Sequence, residues 1–322
     1  MGHINTVLGP ISPSELGPTS SHEHVFWGPP GWEFDPEWWF HTPKVFEKCL
    51  NDLKEYRALG GKTFVDCTGI GLGRDLHLYR MLSKHSGVNI ITATGFWAET
   101  GIYNHFRDKD AHDIDFLQEL FERELTQGIG NTDVRAGYIK VGNSIFSVTK
   151  FEEHLHRAAA RAAKKRGCAV MTHGGQWQPW ELIRIFKEEK LDLSRVIFSH
   201  CDNLDSWDYD RNLRLARLGA WVAYDSWGYI EPWYWGHYGR SDEMGADITK
   251  ALIDDGYGNR LLLASGANLF SFGWQRSSPY VGKNTVCTHM RNTPGQLRRV
   301  GIKEDMFWKL MIDNPKEVFM TD

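Results

Sequence analysis

The sequence predicts a parallel (β/α)8 barrel of the TIM type, and three observations carry that expectation. Short β-rich runs alternate with longer amphipathic ones along all 322 residues. The alternation yields eight strand–helix units with no Pro/Gly-rich linker between them. The length suits one large α/β domain with room for a buried core, so residues 1–322 are expected to form a single domain. A doubly wound open sheet is the alternative on pattern alone.

The elements follow in order. Ser21 to Phe26 reads as the first strand and Lys62 to Cys67 as the second, the latter followed by a helix around Arg74 to Lys84. Val88 to Ala93 is the third strand, before a helix near Ile114 to Gln127. Ala136 to Val141 is the fourth, before the Ala-rich helix around Phe151 to Lys165. Ala169 to Thr172, Arg195 to Ser199, Ala220 to Tyr224 and Arg260 to Ala264 complete the eight. Their β-branched and aromatic content fits a pleated surface. Helices are expected at Pro179 to Glu188, Tyr209 to Arg217 and Asp247 to Asp255. In either architecture ligands sit at the carboxyl ends of the strands, so the chemistry is sought there.

Composition narrows the function. Lys+Arg number 37 against 41 Asp+Glu, a formal net charge of −4, which gives no footprint for nucleic acid or an anionic membrane. Five scattered cysteines without a C-x-x-C pair fit reduced, buried thiols. The start Met-Gly-His-Ile-Asn has no basic segment leading into an apolar run. No apolar stretch approaches the ~20 residues of a membrane span. A cytoplasmic protein is expected. The 14 Trp are several times ordinary usage and call for an explanation.

Histidines cluster at strand ends. His22 and His24 flank Glu23 on the first strand, where residues two apart share a face, so both imidazoles can reach one metal. Two hydrogen-bonded core histidines are the alternative. His154 and His156 share that spacing on a helix, where two residues subtend ~200°, and so read as surface or packing residues. His173 and His200 each end a strand of their own. Four imidazoles at one rim favour a transition-metal site. Lys140 lies in the apolar run Gly-Tyr-Ile-Lys-Val-Gly. It is either an outward lysine with a solvated head or an inward amine deprived of water. The run Gly69-Ile-Gly-Leu-Gly73 lacks the dinucleotide spacing, and the next strand carries no acidic residue for a ribose. Neither a G-x-S-x-G elbow nor a Walker loop is present.

These residues fall into a familiar order. The stretch from Thr6 to His24, ending Thr-Ser-Ser-His-Glu-His, closely resembles the start of the phosphotriesterase family within the amidohydrolase superfamily. The likeness continues through Val65-Asp-Cys-Thr, Gly73-Arg-Asp75, Thr92-Ala-Thr-Gly-Phe-Trp97, Ile139-Lys140-Val, His173-Gly-Gly, Ser199-His200 and Asp313-Asn-Pro-Lys-Glu-Val-Phe319. It implies a barrel with a binuclear metal centre. His22 and His24 would bind the buried ion, His173 and His200 the exposed one, and Lys140, carboxylated by carbon dioxide, would bridge them. The ions would be zinc, with cobalt, manganese or iron as alternatives. A bridging hydroxide would attack a carbonyl or phosphoryl centre. A homodimer is the family expectation.

The chain departs from the family at two points. The family's last ligand, an Asp on strand eight that also accepts a proton, is replaced in Ala264-Ser-Gly-Ala-Asn268. Asn268 takes that catalytic and metal-binding position, although a shift of one would put Ala267 there. An amide is a neutral ligand and no base, so general-base help of about 10²–10⁴-fold is expected to be lost. The chain then reads either as an inactivated Asp-to-Asn form, the preferred account, or as a naturally weak protein or one using another base. After strand seven, Asp225 counts among the catalytic residues. The following Ser226 and Trp227 match neither the Arg-Tyr pair of lactone-cleaving relatives nor the His of phosphotriester-cleaving ones.

Seven tryptophans (Trp27, Trp97, Trp177, Trp227, Trp233, Trp235 and Trp274) follow predicted strands, and Trp32, Trp38 and Trp39 lie in the long first loop. Trp27, Trp97, Trp177, Trp227 and Trp274 are expected to bind substrate, while Trp221 and Trp308 belong to the core. The expected activity is hydrolysis of an uncharged, bulky or aromatic ester, lactone or amide. Phosphotriester hydrolysis is the alternative, and a weakly active metal-bearing protein that binds an aromatic ligand is the alternative from another class.

Overall fold

Alternation along each strand sorts the apolar residues into two sets, which fill two separate cores. A computed structural model of the protein describes residues 2–34, 42–110, 114–203, 207–228, 240–271 and 286–321. An antiparallel hairpin of β1 (Ile4–Thr6) and β2 (Gly9–Ile11) comes first. The chain continues through β3 (Thr19–Trp27), α1 (Thr42–Ala58), β4 (Thr63–Asp66), α2 (Leu76–Ser86), β5 (Asn89–Thr94), α3 (Asn104–Asp110) and α4 (Asp115–Thr126). Next are β6 (Tyr138–Gly142), α5 (Lys150–Arg166), β7 (Val170–His173), α6 (Pro179–Glu188), β8 (Val196–Phe198), α7 (Tyr209–Arg217) and β9 (Trp221–Tyr224). It ends with α8 (Asp242–Asp254), β10 (Leu261–Leu263), β11 (Asn268–Ser271), α9 (Val286–Arg299), α10 (Glu304–Trp308) and α11 (Asn314–Phe319).

From β3 to β10 each strand pairs in parallel with the next, giving the expected TIM-type barrel. All eight predicted strands are present. The eighth is broken: β10 pairs with β9, and β11 pairs with β3. The break at residues 264–267 thus transfers the strand from one neighbour to the other and closes the ring. Gly266 N–H donates to His22 O at 3.0 Å, and His24 N–H donates to Ala267 O at 2.8 Å.

Glu23 holds this break. Its side chain points away from the histidine face and accepts from Ser265 N–H at 2.8 Å, Ala267 N–H at 2.7 Å and the Ser265 hydroxyl at 2.7 Å, as well as from the Ser20 hydroxyl. Burial pushes its pKa up to about 7, against the pull of these donors.

Phe64, Ile90, Ile139, Val170, Phe198 and Val222 face the helices and join the outer core. Val65, Ile91, Tyr138, Met171, Ile197, Trp221, Ala223 and Leu262 fill the lumen. Ile4, Leu16, Val318 and Phe319 belong to that inner cluster and underlie the barrel. Lys140 has the parity of Tyr138, so it is the inward lysine and not the solvated one.

Five helices go beyond the expectations: α1, α3, α9, α10 and α11. Helix α1 carries an apolar stripe of Val45, Cys49, Leu53 and Tyr56 that the alternation argument passed over. Helix α9 is masked in sequence by its internal Pro294. Helix α8 begins at Asp242 rather than Asp247 because Ser241 caps it, its hydroxyl accepting from Met244 N–H. All five cysteines are buried and none is in a disulfide among the described residues.

Glu23→Ala would leave buried N–H donors at Ser265 and Ala267 unpaired. It should cost about 3 kcal/mol or more, and Glu23→Gln less, in urea-unfolding measurements.

Candidate metal centre

Inward parity brings the strand-end residues together. His22 and His24 project from β3, Lys140 from β6 and His173 from β7, while His200 and Asp225 follow β8 and β9. The ring centroids of His22 and His200 are 4.7 Å apart, those of His22 and His24 5.7 Å, and those of His173 and His200 5.0 Å. His22, His200 and Asp225 each offer a ligand atom within 4.8 Å of the others.

The hydrogen bonds fix which nitrogen each ring presents. His22 Nδ1 lies 2.6 Å from Asp225 Oδ2, and His200 Nδ1 lies 3.0 Å from Asp225 Oδ1. An ionised carboxylate only accepts, so both Nδ1 atoms carry protons and both Nε2 atoms hold lone pairs. His24 Nδ1 sits 3.0 Å from Thr68 Oγ1. The Thr68 proton is directed to Phe26 O at 2.9 Å or Asp66 Oδ1 at 3.1 Å, so His24 is the donor there as well. In His22, His24 and His200, Nδ1 is thus engaged and Nε2 is the nitrogen left for a ligand, that of His200 lying against His173.

The electrostatics agree. Burial lowers the His22 pKa to about 3, with Lys140 adding to the effect and Asp225 opposing it. Burial and then the neighbouring His22 hold His24 well below the ordinary value. Burial works against ionised Asp225, but His200 and His22 beside it keep the carboxyl well below the carboxylate range. Lys140 Nζ donates to Ser199 Oγ at 3.1 Å and Thr172 O at 3.3 Å. Its burial draws the ammonium pKa down, against Cys67 and Asp225.

His200 adopts φ 58°, a left-handed conformation that a β-carbon disfavours. Asp225 holds it there by accepting the His200 backbone N–H at 3.0 Å and 3.1 Å as well as the ring. In that pose His200 Nε2 is 3.2 Å from His173 Nδ1. Two nitrogens on one tetrahedral zinc, with bonds of about 2.0–2.1 Å, would be roughly 3.3–3.4 Å apart, so the pair fits a divalent ion.

On strand eight the register sets Asn268 opposite His24, so the two share a face. Ala267 has both backbone groups engaged, by Glu23 and by His24.

The tryptophans divide. Trp27, Trp97 and Trp177 are half-buried at strand ends, and the Trp97 ring meets the edge of His173 at 5.4 Å. Trp227 is a correction. It is 0 % exposed, with the Arg240 guanidinium 4.4 Å over its ring, and so presents no face to a pocket. The turn after Asp225 sends it into the helical layer. Trp274, with Trp38, Trp39, Trp233 and Trp235, lies outside the described residues. Trp32 packs on Phe26 at 5.3 Å and lines a cavity of about 440 Å³ beside Gly71 and Gly73. Trp221 is core, as expected, and donates to Ser194 O at 2.8 Å. His156 is a packing residue, its ring Nδ1–H donating to Glu152 O at 2.7 Å on α5. The sequence reading missed Thr68, Ser199 and Asp202 as supporting groups, since common polar residues at strand ends carry no spacing signal of their own.

A family model for the phosphotriesterase family matches residues 2–319. The chain belongs to the phosphotriesterase family, and it is a hydrolase. This phosphotriesterase-family chain is 30% identical to an N-acetyltaurine hydrolase of Tetraodon nigroviridis, covering 98% of this chain and 97% of that one. It is 28% identical to a phosphotriesterase homology protein of Mycobacterium tuberculosis, covering 99% and 98%. Among solved structures it resembles a PTE-like lactonase mutant of Deinococcus radiodurans, with 27% identity, a TM-score of 0.89 and coverage of 98% and 99%.

The contrast between histidines predicts a pH effect. Burial keeps His156 neutral in the folded protein down to about pH 4, against an ordinary value of 6.5. The unfolded chain binds the extra proton in that window. The contribution is complete above pH 6.5 and is lost as pH falls toward 4. His156→Gln should therefore flatten the slope of unfolding free energy there by up to about 1.4 kcal/mol per pH unit.

Proposed function

We propose that this hydrolase cleaves an uncharged, bulky or aromatic ester, lactone or amide, using divalent ions held by its strand-end histidines. The observation that carries the reading is that His22, His24 and His200 each have Nδ1 engaged by a hydrogen bond, which leaves Nε2 as the ligating nitrogen. His22 and His24 would hold one ion and His173 and His200 the other, zinc being the expected metal. When bound, the ions would supply Lewis acidity and an activated water.

The chain's own residues do the rest. Asp225 orients His22 and His200 and balances charge. The Lys140 amine, its ammonium pKa drawn down by burial, would attack carbon dioxide as the free base, forming an N–C bond and releasing a proton to give a carbamate between the two sites. Asn268 contributes an amide oxygen beside His24 and accepts no proton. Trp97, against His173, gives the mouth an aromatic wall suited to an apolar acyl or leaving group. The names of the relatives support carbonyl chemistry, since an N-acetyl amide and a lactone both break at an acyl carbon. The lack of a strand-eight carboxylate favours a second reading, a metal-bearing protein that binds an aromatic ligand without turnover.

The test is a panel of aryl esters, lactones, amides and phosphotriesters. Asn268→Asp should raise turnover by about 10²–10⁴-fold and keep two metals per chain. A gain in Ala267→Asp alone would move the ligand position by one residue, and no gain in either would defeat the hydrolytic assignment of this strand. A rate gain confined to phosphotriesters would overturn the acyl reading.

Trp97→Ala should cut the preference for aromatic over small aliphatic acyl substrates by about 3- to 10-fold in kcat/KM. Trp227→Ala should change stability and leave that ratio alone. An unaltered ratio in Trp97→Ala would make Trp97 a packing residue.

A further inference from the structure

Arg240 lies just before the Ser241 cap of α8 and has no part in the chemistry above, yet it is 1 % exposed. Guanidinium groups seldom leave water without fixed partners. Arg240 Nη2 lies 2.6 Å from Asp202 Oδ2, with both side chains enclosed. The cation stacks over Trp227, and Nη1–H donates to Ser241 O at 3.2 Å. Helix α8 makes room for it: a Cβ at Gly245 would collide with the guanidinium. Glycine is a poor helix former, so its presence inside this helix answers to the arginine.

Asp202 passes the constraint on. Its carboxylate accepts Asp225 N–H at 3.0 Å and Ser226 N–H at 3.2 Å. Ser226 is turned away from the mouth, its hydroxyl donating to Asn203 Oδ1 at 2.6 Å. Asp225 in turn spans His22 and His200. The contacts from Arg240 to two imidazoles are thus continuous, through the buried carboxylate of Asp202 and then that of Asp225.

We propose that Arg240 is a positioning residue for the metal centre: through Asp202 it fixes the tip of strand seven, and so the Asp225 carboxylate that orients His22 and His200. The inference rests on the metal-centre reading above. Without the guanidinium, Asp202 and Asp225 face each other in the interior with no cation between strand and helix. Asp202 then turns away and releases the Asp225 amide. A lysine at 240 retains the charge but neither the planar fork nor the stack on Trp227.

The test compares Arg240→Gln, Arg240→Lys, Gly245→Ala and the double variant Asp202→Asn/Arg240→Gln with the unaltered protein. Zinc affinity of the metal-free protein is read by competition with a chromophoric chelator, beside Tm and the kcat and KM on the best panel substrate. Arg240→Gln and Gly245→Ala should each lose ~10–100-fold in zinc affinity and in kcat. KM should stay within about twofold. Arg240→Lys should fall between. The double variant has no unpaired buried charge, so it should recover Tm but not zinc affinity. Unchanged zinc affinity in Arg240→Gln and Gly245→Ala overturns the proposal, and so does recovery of zinc affinity together with Tm in the double variant. If Arg240→Gln does not fold, Arg240→Lys and Gly245→Ala decide. Zinc binding that His200→Ala leaves intact would instead bring down the metal-centre reading, and this inference with it.

Discussion

One buried carboxylate organises the mouth of this barrel. Asp225 stands at the end of β9, and its two oxygens reach His22 Nδ1 on the first strand and His200 Nδ1 after the sixth. An isolated carboxylate is costly in the interior. Asp225 remains ionised because two imidazole N–H groups and the His200 amide are directed at it. The same contacts settle the tautomers of His22 and His200 and hold His200 in a left-handed conformation. Desolvation by itself would have made these groups neutral and indifferent to direction. The carboxylate gives them an orientation.

A second buried carboxylate performs a different task one residue from His22 and His24. Glu23 alternates with His22 and His24 and so faces the other way, where it gathers the amides of the strand-eight break. One tripeptide therefore serves two faces: two rings for the lumen and one acid for the seam that closes the ring. The break also determines how Asn268 comes to lie beside His24, since pairing passes from β9 to β3 within a few residues.

Most of this was legible from parity. Short β-rich runs located all eight strands, and once a barrel is assumed period-two alternation dictates which strand-end residues face inward; Lys140 follows Tyr138 by that rule alone. The order of His22, His24, Lys140, His173 and His200 at strand ends was visible because imidazole is rare enough to carry information. Thr68, Ser199 and Asp202 were not, because hydroxyls and carboxylates end many strands for ordinary reasons. Trp227 misled for a related reason. Its place after a strand suggested the pocket, but whether a turn points toward the mouth or into the helices depends on a partner distant in sequence. Here that partner is Arg240, whose own burial depends on a glycine in the next turns of α8.

The inner cluster carries one more consequence. The barrel has no floor of its own: Ile4 and Leu16 come from one end of the described chain and Val318 and Phe319 from the other. The two ends are joined by paired bonds of 2.9 Å between His3 and Thr321. Fraying of this short seam would admit solvent to the lumen from below, beneath Tyr138 and then Lys140. Amide hydrogen exchange at His3 and Thr321 thus becomes a gauge of how dry the interior stays under the amine, and links the seam between the two ends to a buried ammonium.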